Sequence, residues 1–179
     1  MRIIQSNAIS LNGLIARENG DEDWLPSEGW DEFVEDVKQF GNFIMGRETY
    51  ELVMKLYPDY NFDNVVSPYK IIITSQASYQ TPDGYQVVHS PREAKQFLEE
   101  KGIEAALLVG GGKLNSSFYA NGLVDETWVT VNPIILGRGR SFIGDYDFEA
   151  QLKLKEVVKL NKDRVQLRYS VITTKGSNS

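Results

Sequence analysis

Leu107-Leu108-Val109-Gly110-Gly111-Gly112-Lys113-Leu114 joins an apolar run that starts at Ala105 to a helix-compatible stretch over residues 113–120, through three consecutive glycines. A short, continuous apolar run without polar alternation is the pattern of a strand buried on both faces. A buried strand that turns at glycine into a helix is the repeating unit of an open α/β sheet. Glycine also lets backbone amides approach an anion with no Cβ in the way, and the helix start adds unpaired N–H groups and the positive end of its dipole. A phosphate suits such a turn. So does a bare structural role in which glycine serves only the turn's dihedrals, and the sequence leaves both readings open. The spacing is neither the dinucleotide fingerprint nor a P-loop, because the glycines are consecutive and no Lys-Ser/Thr pair follows them.

The same grammar extends in both directions from this stretch. Residues 2–10 read as an Ile-rich buried strand halted by Leu11-Asn12-Gly13. Trp30, Phe33, Val34, Val37 and Phe40 recur at three- and four-residue spacing, which predicts a helix with one apolar face, stopped by Gly41. Residues 42–45 form a short strand that opens into Gly46-Arg47-Glu48-Thr49-Tyr50, and Tyr50, Val53, Met54 and Tyr57 predict a second helix ended by Pro58. Residues 59–68 read as loop, residues 69–74 as a buried strand, and residues 86–88 as a shorter one. In Ser90-Pro91-Arg92-Glu93, Ser90 is placed to cap the Glu93 amide, Glu93 to reach back to Ser90, and proline sits in the first turn. After a strand over residues 126–131, Leu152, Leu154, Val165, Leu167, Tyr169 and Val171 alternate with mostly polar neighbours across Asn161-Lys162-Asp163, which predicts an antiparallel hairpin. The fold expected is α/β: three layers, with a mostly parallel mixed sheet between helices on both faces and a C-terminal antiparallel hairpin. One domain over residues 1–174 and a disordered tail over residues 175–179 complete the expectation.

Composition narrows the chemistry. The 179 residues hold no Cys and one His, so thiolate metal sites, disulfides and any site needing two imidazoles are excluded, and no metal site is expected. With 19 Lys and Arg against 25 Asp and Glu, the net charge of −6 argues against a nucleic-acid partner, whose phosphates call for a basic surface. No run of 18 apolar residues occurs and the first residues lack a secretory signal, so a cytoplasmic protein with no membrane partner is expected.

Three strand ends carry polar or glycine-rich chemistry: Gly110-Gly111-Gly112, Gly46-Arg47-Glu48-Thr49 and Thr74-Ser75. Ligands of open α/β sheets bind at the carboxyl ends of strands, so the three together point to one ligand. Arg47 offers a bidentate guanidinium for a phosphate and Thr49 a hydroxyl. Among the acids of residues 18–35, Glu28 falls in the first turn of the predicted helix. There it serves either as a proton source or anchor beside an apolar pocket, or simply as the acid any helix start favours. His89 reads as the end of a strand, and Trp30 and Trp128 as core.

In order along the chain, Ser10-Leu11-Asn12-Gly13-Leu14-Ile15-Ala16, Met45-Gly46-Arg47-Glu48-Thr49-Tyr50-Glu51, Val109-Gly110-Gly111-Gly112-Lys113-Leu114, Gly122-Leu123-Val124-Asp125-Glu126 and Pro133 with Leu136-Gly137-Arg138-Gly139 resemble the dihydrofolate-reductase-like superfamily. The resemblance is greatest to the reductase domain of the bifunctional riboflavin-biosynthesis deaminase/reductase, and it runs from about residue 2 to about residue 172. It implies an NADPH-dependent reductase of a small-molecule substrate, with the family's tendency to form homodimers. By the resemblance, Gly46, Arg47 and Thr49 bind the cofactor's phosphates, Thr74 and Ser75 lie along its adenosine, and Gly111, Gly112 and Lys113 receive the pyrophosphate within the segment from Gly110 to Leu114. Ala8, Ile15 and Ala16 flank the nicotinamide. Two candidate catalytic residues follow: Asn12, where the family usually carries Asp, and Glu28, in a Leu25-Pro26-Ser27-Glu28 segment similar to the one that holds the substrate-binding acid of dihydrofolate reductases. The substrate expected is a small heterocycle or carbonyl compound of pterin or riboflavin-precursor type. The alternative is a non-catalytic nucleotide-binding module, for which the amide of Asn12 speaks.

Overall fold

The computed structural model describes residues 1–59, 62–80 and 83–176. Among the described residues there are ten strands: β1 (Arg2–Ser10), β2 (Leu14–Ala16), β3 (Asn42–Gly46), β4 (Tyr69–Ile73), β5 (Tyr85–Val88), β6 (Ala105–Gly110), β7 (Glu126–Asn132), β8 (Arg140–Ser141), β9 (Phe148–Lys159) and β10 (Val165–Gly176). Four helices accompany them: α1 (Glu28–Phe40), α2 (Arg47–Leu56), α3 (Pro91–Glu100) and α4 (Gly112–Ala120). Eight strands make one sheet in the order β5-β4-β3-β6-β1-β7-β10-β9, and β2 pairs separately with β8. Every pairing from β5 to β7 is parallel; β10 is antiparallel to β7 and to β9.

Consecutive residues of the central strands bury against opposite layers, which is why their sequences read as continuous apolar runs. Ile3, Ile44, Ile71 and Leu108 pack with Ala94 and Leu98 of α3 and Phe118 and Tyr119 of α4. Ile4, Phe43, Met45, Ile72 and Leu107 pack with Val37 of α1 and Tyr50 and Val53 of α2. No helix among the described residues is long and apolar enough to cross a membrane.

The apolar stripe of α1 and its stop hold as read: Gly41 closes the helix at φ 69°, a left-handed conformation that glycine adopts without a Cβ penalty. Ser90 accepts the Glu93 amide at 3.2 Å, and the Glu93 carboxylate reaches back as expected, accepting from the Ser90 hydroxyl at 3.1 Å and from the His89 amide at 2.9 Å. The loop expected over residues 59–68 contains a short 3-10 turn, Phe62–Asn64, because Phe62 is drawn into an aromatic cluster with Trp30, Phe33 and Phe43. The hairpin forms as expected, and β10 continues past residue 174: Lys175 and Gly176 pair with Glu149 and Phe148 of β9. The expected tail is corrected to that extent, since β9 supplies a ladder partner there, and residues 177–179 lie outside the described residues. Along β9, Leu152, Leu154 and Val157 are 41%, 51% and 55% exposed, so the alternating pattern marks a face that this chain leaves uncovered.

Arg164 ties the hairpin to α1. It is 4% exposed, donates to both Glu32 oxygens at 2.9 and 2.8 Å, and gives its Nε–H to Asn132 at 2.9 Å. A buried guanidinium with all three of its faces satisfied sets where the helix lies on the sheet, because removing one partner leaves an unpaired buried charge.

Residues 139–144 form a strap across the glycine turn. A Cβ on Gly112 would overlap the Ser141 carbonyl oxygen, and one on Gly139 would overlap that of Ala16. Gly144 donates to Gly112 O at 3.1 Å and to Ser116 Oγ at 2.8 Å. Gly112→Ala is therefore expected to cost about 1–3 kcal/mol of stability, read as a lowered urea midpoint. Gly137→Ala, whose Cβ would meet nothing within 4 Å, should stay within about 0.5 kcal/mol. Equal midpoints for the two variants would contradict the strap.

Candidate active site

Parallel pairing puts the carboxyl ends of β3, β4, β5 and β6 on one edge of the sheet. Gly46 stands opposite Ile73, Ile73 opposite Val88, and Met45 opposite Gly110, so Arg47, Thr74, His89 and Gly111 follow in one row. A cleft of about 1160 Å³ runs along this row and past β1 to α1. That is above the usual range for a single drug-sized ligand and leaves room for a dinucleotide with a small partner.

Twelve of the expected site residues line this cleft: Ala8, Ile15, Ala16, Gly46, Arg47, Thr49, Thr74, Ser75, Gly111, Gly112, Lys113 and Leu114. Gly111 donates its amide to Thr49 Oγ1 at 2.8 Å, which joins the first turn of α2 to the glycine turn. The amides of Gly112 and Lys113 open α4, where no intrahelical carbonyl precedes them. Lys113 has no ion-pair partner among the described residues, and Arg47 is held by Glu51 at 2.5 Å and Glu48 at 3.7 Å. Two helix-opening amides, a free ammonium, a guanidinium and a hydroxyl around a cradle without Cβ atoms suit a diphosphate. Leu114 packs against Gly46, its Cβ 3.9 Å from where one on Gly46 would stand.

Gly110, Asn12 and Glu28 do not line the cleft. Gly110 turns at φ +106° behind the lining, beside the side chains of Asn7 and Asn115, and the Gly110–Gly111 peptide is cis. Asn12 is held on the far side of the β1–β2 turn, where it donates to Leu136 O at 2.7 Å and accepts from Leu136 N at 3.1 Å and Ser10 Oγ at 2.9 Å. Its amide fastens that turn. Glu28 is exposed at the start of α1, with Ser27 Oγ 3.5 Å from its carboxylate.

The acids at the cleft lie farther along the same helix side. Glu32 and Asp36 are four and eight residues beyond Glu28, and both line the cleft with Trp30 and Phe33. Glu32 is neutralised by Arg164. Burial pushes the Asp36 carboxyl up to about 6; Arg168 opposes the rise and Glu32 adds to it. From the loop before α1, Glu22 joins them, and burial with Asp21 beside it pushes its carboxyl up to about 7. Tyr57, at the end of α2, holds that loop in place: its hydroxyl donates to Asp21 and accepts the Glu22 amide at 2.6 Å. Ser6, Thr130 and Gln166 add hydroxyl and amide groups on the sheet side of the same end.

Sequence reasoning missed Asp36 and read His89 only as a strand end, and among the acids weighed over residues 18–35 it singled out neither Glu22 nor Glu32. The i+4 and i+8 spacing from Glu28 was the available signal for the two helix acids. No comparable signal marked His89 or Glu22, whose positions depend on strand order and loop path.

The family model of the RibD C-terminal domain matches residues 2–166. The uncharacterized protein YwjB of Bacillus subtilis (strain 168) is 33% identical over 172 residues, covering 90% of this chain and 93% of YwjB. Among solved structures, a protein of Shewanella sp. PV-4 assigned by its name to riboflavin biosynthesis superposes with a TM-score of 0.80 at 23% identity, covering 97% of this chain and all of that one. Dihydrofolate reductase from Enterococcus faecalis, complexed with NADP(H), superposes with a TM-score of 0.67 at 18% identity, covering 96% of this chain and 97% of that one. The fold is thus dihydrofolate-reductase-like, and the chain belongs to the RibD C-terminal domain family.

Proposed function

We propose that this chain is an NADPH-dependent oxidoreductase that reduces a small heterocyclic or carbonyl substrate of pterin or riboflavin-precursor type. The observation that carries the reading is the row of phosphate-competent strand ends in a cleft that continues, past β1, to half-buried acids on α1. The Enterococcus reductase held with NADP(H) on the same fold supports the choice of cofactor.

Gly112, Lys113, Arg47 and Thr49 hold the diphosphate, with Arg47 exchanging Glu51 for a phosphate oxygen. Thr74 and Ser75 follow the adenosine, and Ala8, Ile15 and Ala16 present a small apolar surface to the nicotinamide. When bound, NADPH supplies the hydride, so the protein has to orient the substrate and deliver a proton. Trp30 and Phe33 bound the substrate space with apolar surface, and Glu32, fixed by Arg164, accepts hydrogen bonds from ring N–H groups. Asp36 carries the proton. A carboxyl that titrates near 6 is protonated in a useful fraction at neutral pH, as an acid catalyst needs.

The uncovered face of β9, with Leu152, Leu154 and Val157 opposite Val171, Tyr169 and Leu167, fits a second copy of the chain and supports the homodimer reading. The reading also places the protein in the cytoplasm.

Three measurements test these statements. Calorimetric titration should give NADPH a dissociation constant well below millimolar, and absence of binding by NADPH and NADH alike would refute the cofactor reading. In steady-state assays over pterins and aminopyrimidines, turnover should fall as pH rises through about 6, because the neutral form of Asp36 is the donor and is lost above its pKa. Asp36→Asn should lower kcat about 10²-fold or more and abolish that limb; an unchanged profile would remove Asp36 from the reaction. Sedimentation should give twice the chain mass, reduced to one chain by Leu154→Glu, whereas a monomeric parent protein would overturn the dimer.

A further inference from the structure

Three carboxylates line the α1 end of the cleft, and the chain treats them differently. Glu32 is matched by the buried guanidinium of Arg164. Asp36 has Arg168 acting against the rise of its carboxyl. Glu22, half-buried on the loop before α1, has no such cation. Its carboxylate makes no ion pair or hydrogen bond among the described residues, and the charge that acts on it, Asp21, is of its own sign. A carboxylate withdrawn from water without a partner is a standing cost to the fold.

The groups around Glu22 hold its backbone and leave its side chain to the cleft. Its amide donates to the Tyr57 hydroxyl at 2.6 Å, and its carbonyl accepts the Leu25 amide at 2.8 Å. Asp21 takes the Tyr57 hydroxyl and the Asp23 amide, and Asp23 pairs with Arg17 at 2.6 Å. On the strap, Arg140 is exposed, lies against Gly20 and gives its Nε–H to the Glu18 carbonyl at 3.3 Å. The walls of the cleft on this side are Leu25, Pro26, Trp30 and Phe33. Beside such apolar walls a cation brought by a ligand gains more from a carboxylate than it does in water, and an anion loses more.

We propose that Glu22 selects the substrate: it receives a cationic nitrogen of amine or amidine type and turns away a molecule that carries a phosphate at that end. The inference rests on the reductase reading above and narrows its substrate class to basic heterocycles without phosphate. Glu32, already neutralised, takes the ring N–H groups, Glu22 supplies the charge that Glu32 lacks, and Asp36 keeps its proton for the reaction. Selection against phosphate comes from the same group, because like charges brought together in a half-buried cleft repel. Burial with Asp21 beside it pushes the Glu22 carboxyl up to about 7, so a bound cation also displaces a proton from it around neutrality.

The test uses the intact protein saturated with NADPH, which fills the strand-end positions, and three flat probes that differ in one group. Benzamidine is a cation throughout the neutral range, benzamide is uncharged, and phenyl phosphate is an anion. Backbone amide NMR titrations read both the affinity and the place. Benzamidine should bind about tenfold more tightly than benzamide, with shifts at Glu22 and Leu25, and phenyl phosphate more weakly than either. The affinity for benzamidine should rise about tenfold from pH 6 to pH 8 as Glu22 ionises. Glu22→Gln should remove the preference and reduce that rise to about twofold, the part left to Asp36. Its urea midpoint should not fall, because no bond inside the chain is lost. Retention of the preference in Glu22→Gln, or its loss in Asp36→Asn instead, overturns the assignment. So does phenyl phosphate that outbinds benzamide and loses its binding in Arg140→Gln, and so does a protein that binds NADPH but not benzamidine. Failure of NADPH to bind overturns the cofactor reading, and the same three probes on the free protein then decide Glu22 separately.

Discussion

Parallel pairing of β1, β3, β4, β5, β6 and β7 is the constraint on which the site depends. It sends six strands out of the sheet on the same edge, so residues far apart in sequence, such as Arg47, Thr74, His89 and Gly111, fall into one row without any contact between them having to be designed. Burial on both faces enforces the arrangement. Ile3 and Ile4, or Leu107 and Leu108, each need an apolar layer on their own side, and the four helices supply both.

Against that frame the site has two electrostatic ends. The glycine turn, Lys113 and Arg47 gather positive potential locally in a chain of net charge −6, so an anionic ligand is held by local groups and not drawn by the overall field. Toward α1 the sign reverses, with Glu22, Glu32 and Asp36 around Trp30 and Phe33. Arg164 matters here twice over: it fixes α1 to the hairpin, and it cancels the charge of Glu32, which leaves Asp36 as the helix acid whose proton is free to move.

Features that rest on local chemistry were legible in the sequence. The Ser90 cap, the Gly41 stop, the α1 stripe and the glycine turn after β6 each follow from a few neighbouring residues. The chemistry of the acids was not legible in the same way. Glu28, Glu32 and Asp36 share one side of α1, and which of them meets the cleft depends on how far the helix overhangs the sheet, a distance set by Arg164 from 132 residues away from Glu32. Asn12 is similar: its amide is occupied by Leu136, 124 residues on, and nothing near Asn12 in sequence announces that partner. The requirement for glycine at residue 112 also has a distant cause, the close approach of the strap at Ser141. Family resemblance picked out residues that line the cleft at the strand ends, which the backbone builds, better than those toward α1, which individual side chains build.

The central claim is that a dinucleotide phosphate lies along the carboxyl ends of β3 to β6. Backbone amide NMR of the intact protein during addition of NADPH tests it most directly. The account predicts that the largest shifts fall on Gly111, Gly112, Lys113, Gly46 and Thr49, with a second group at Thr74, Ser75 and His89. Shifts confined to the β9–β10 hairpin, or no shifts at saturating NADPH, would contradict it.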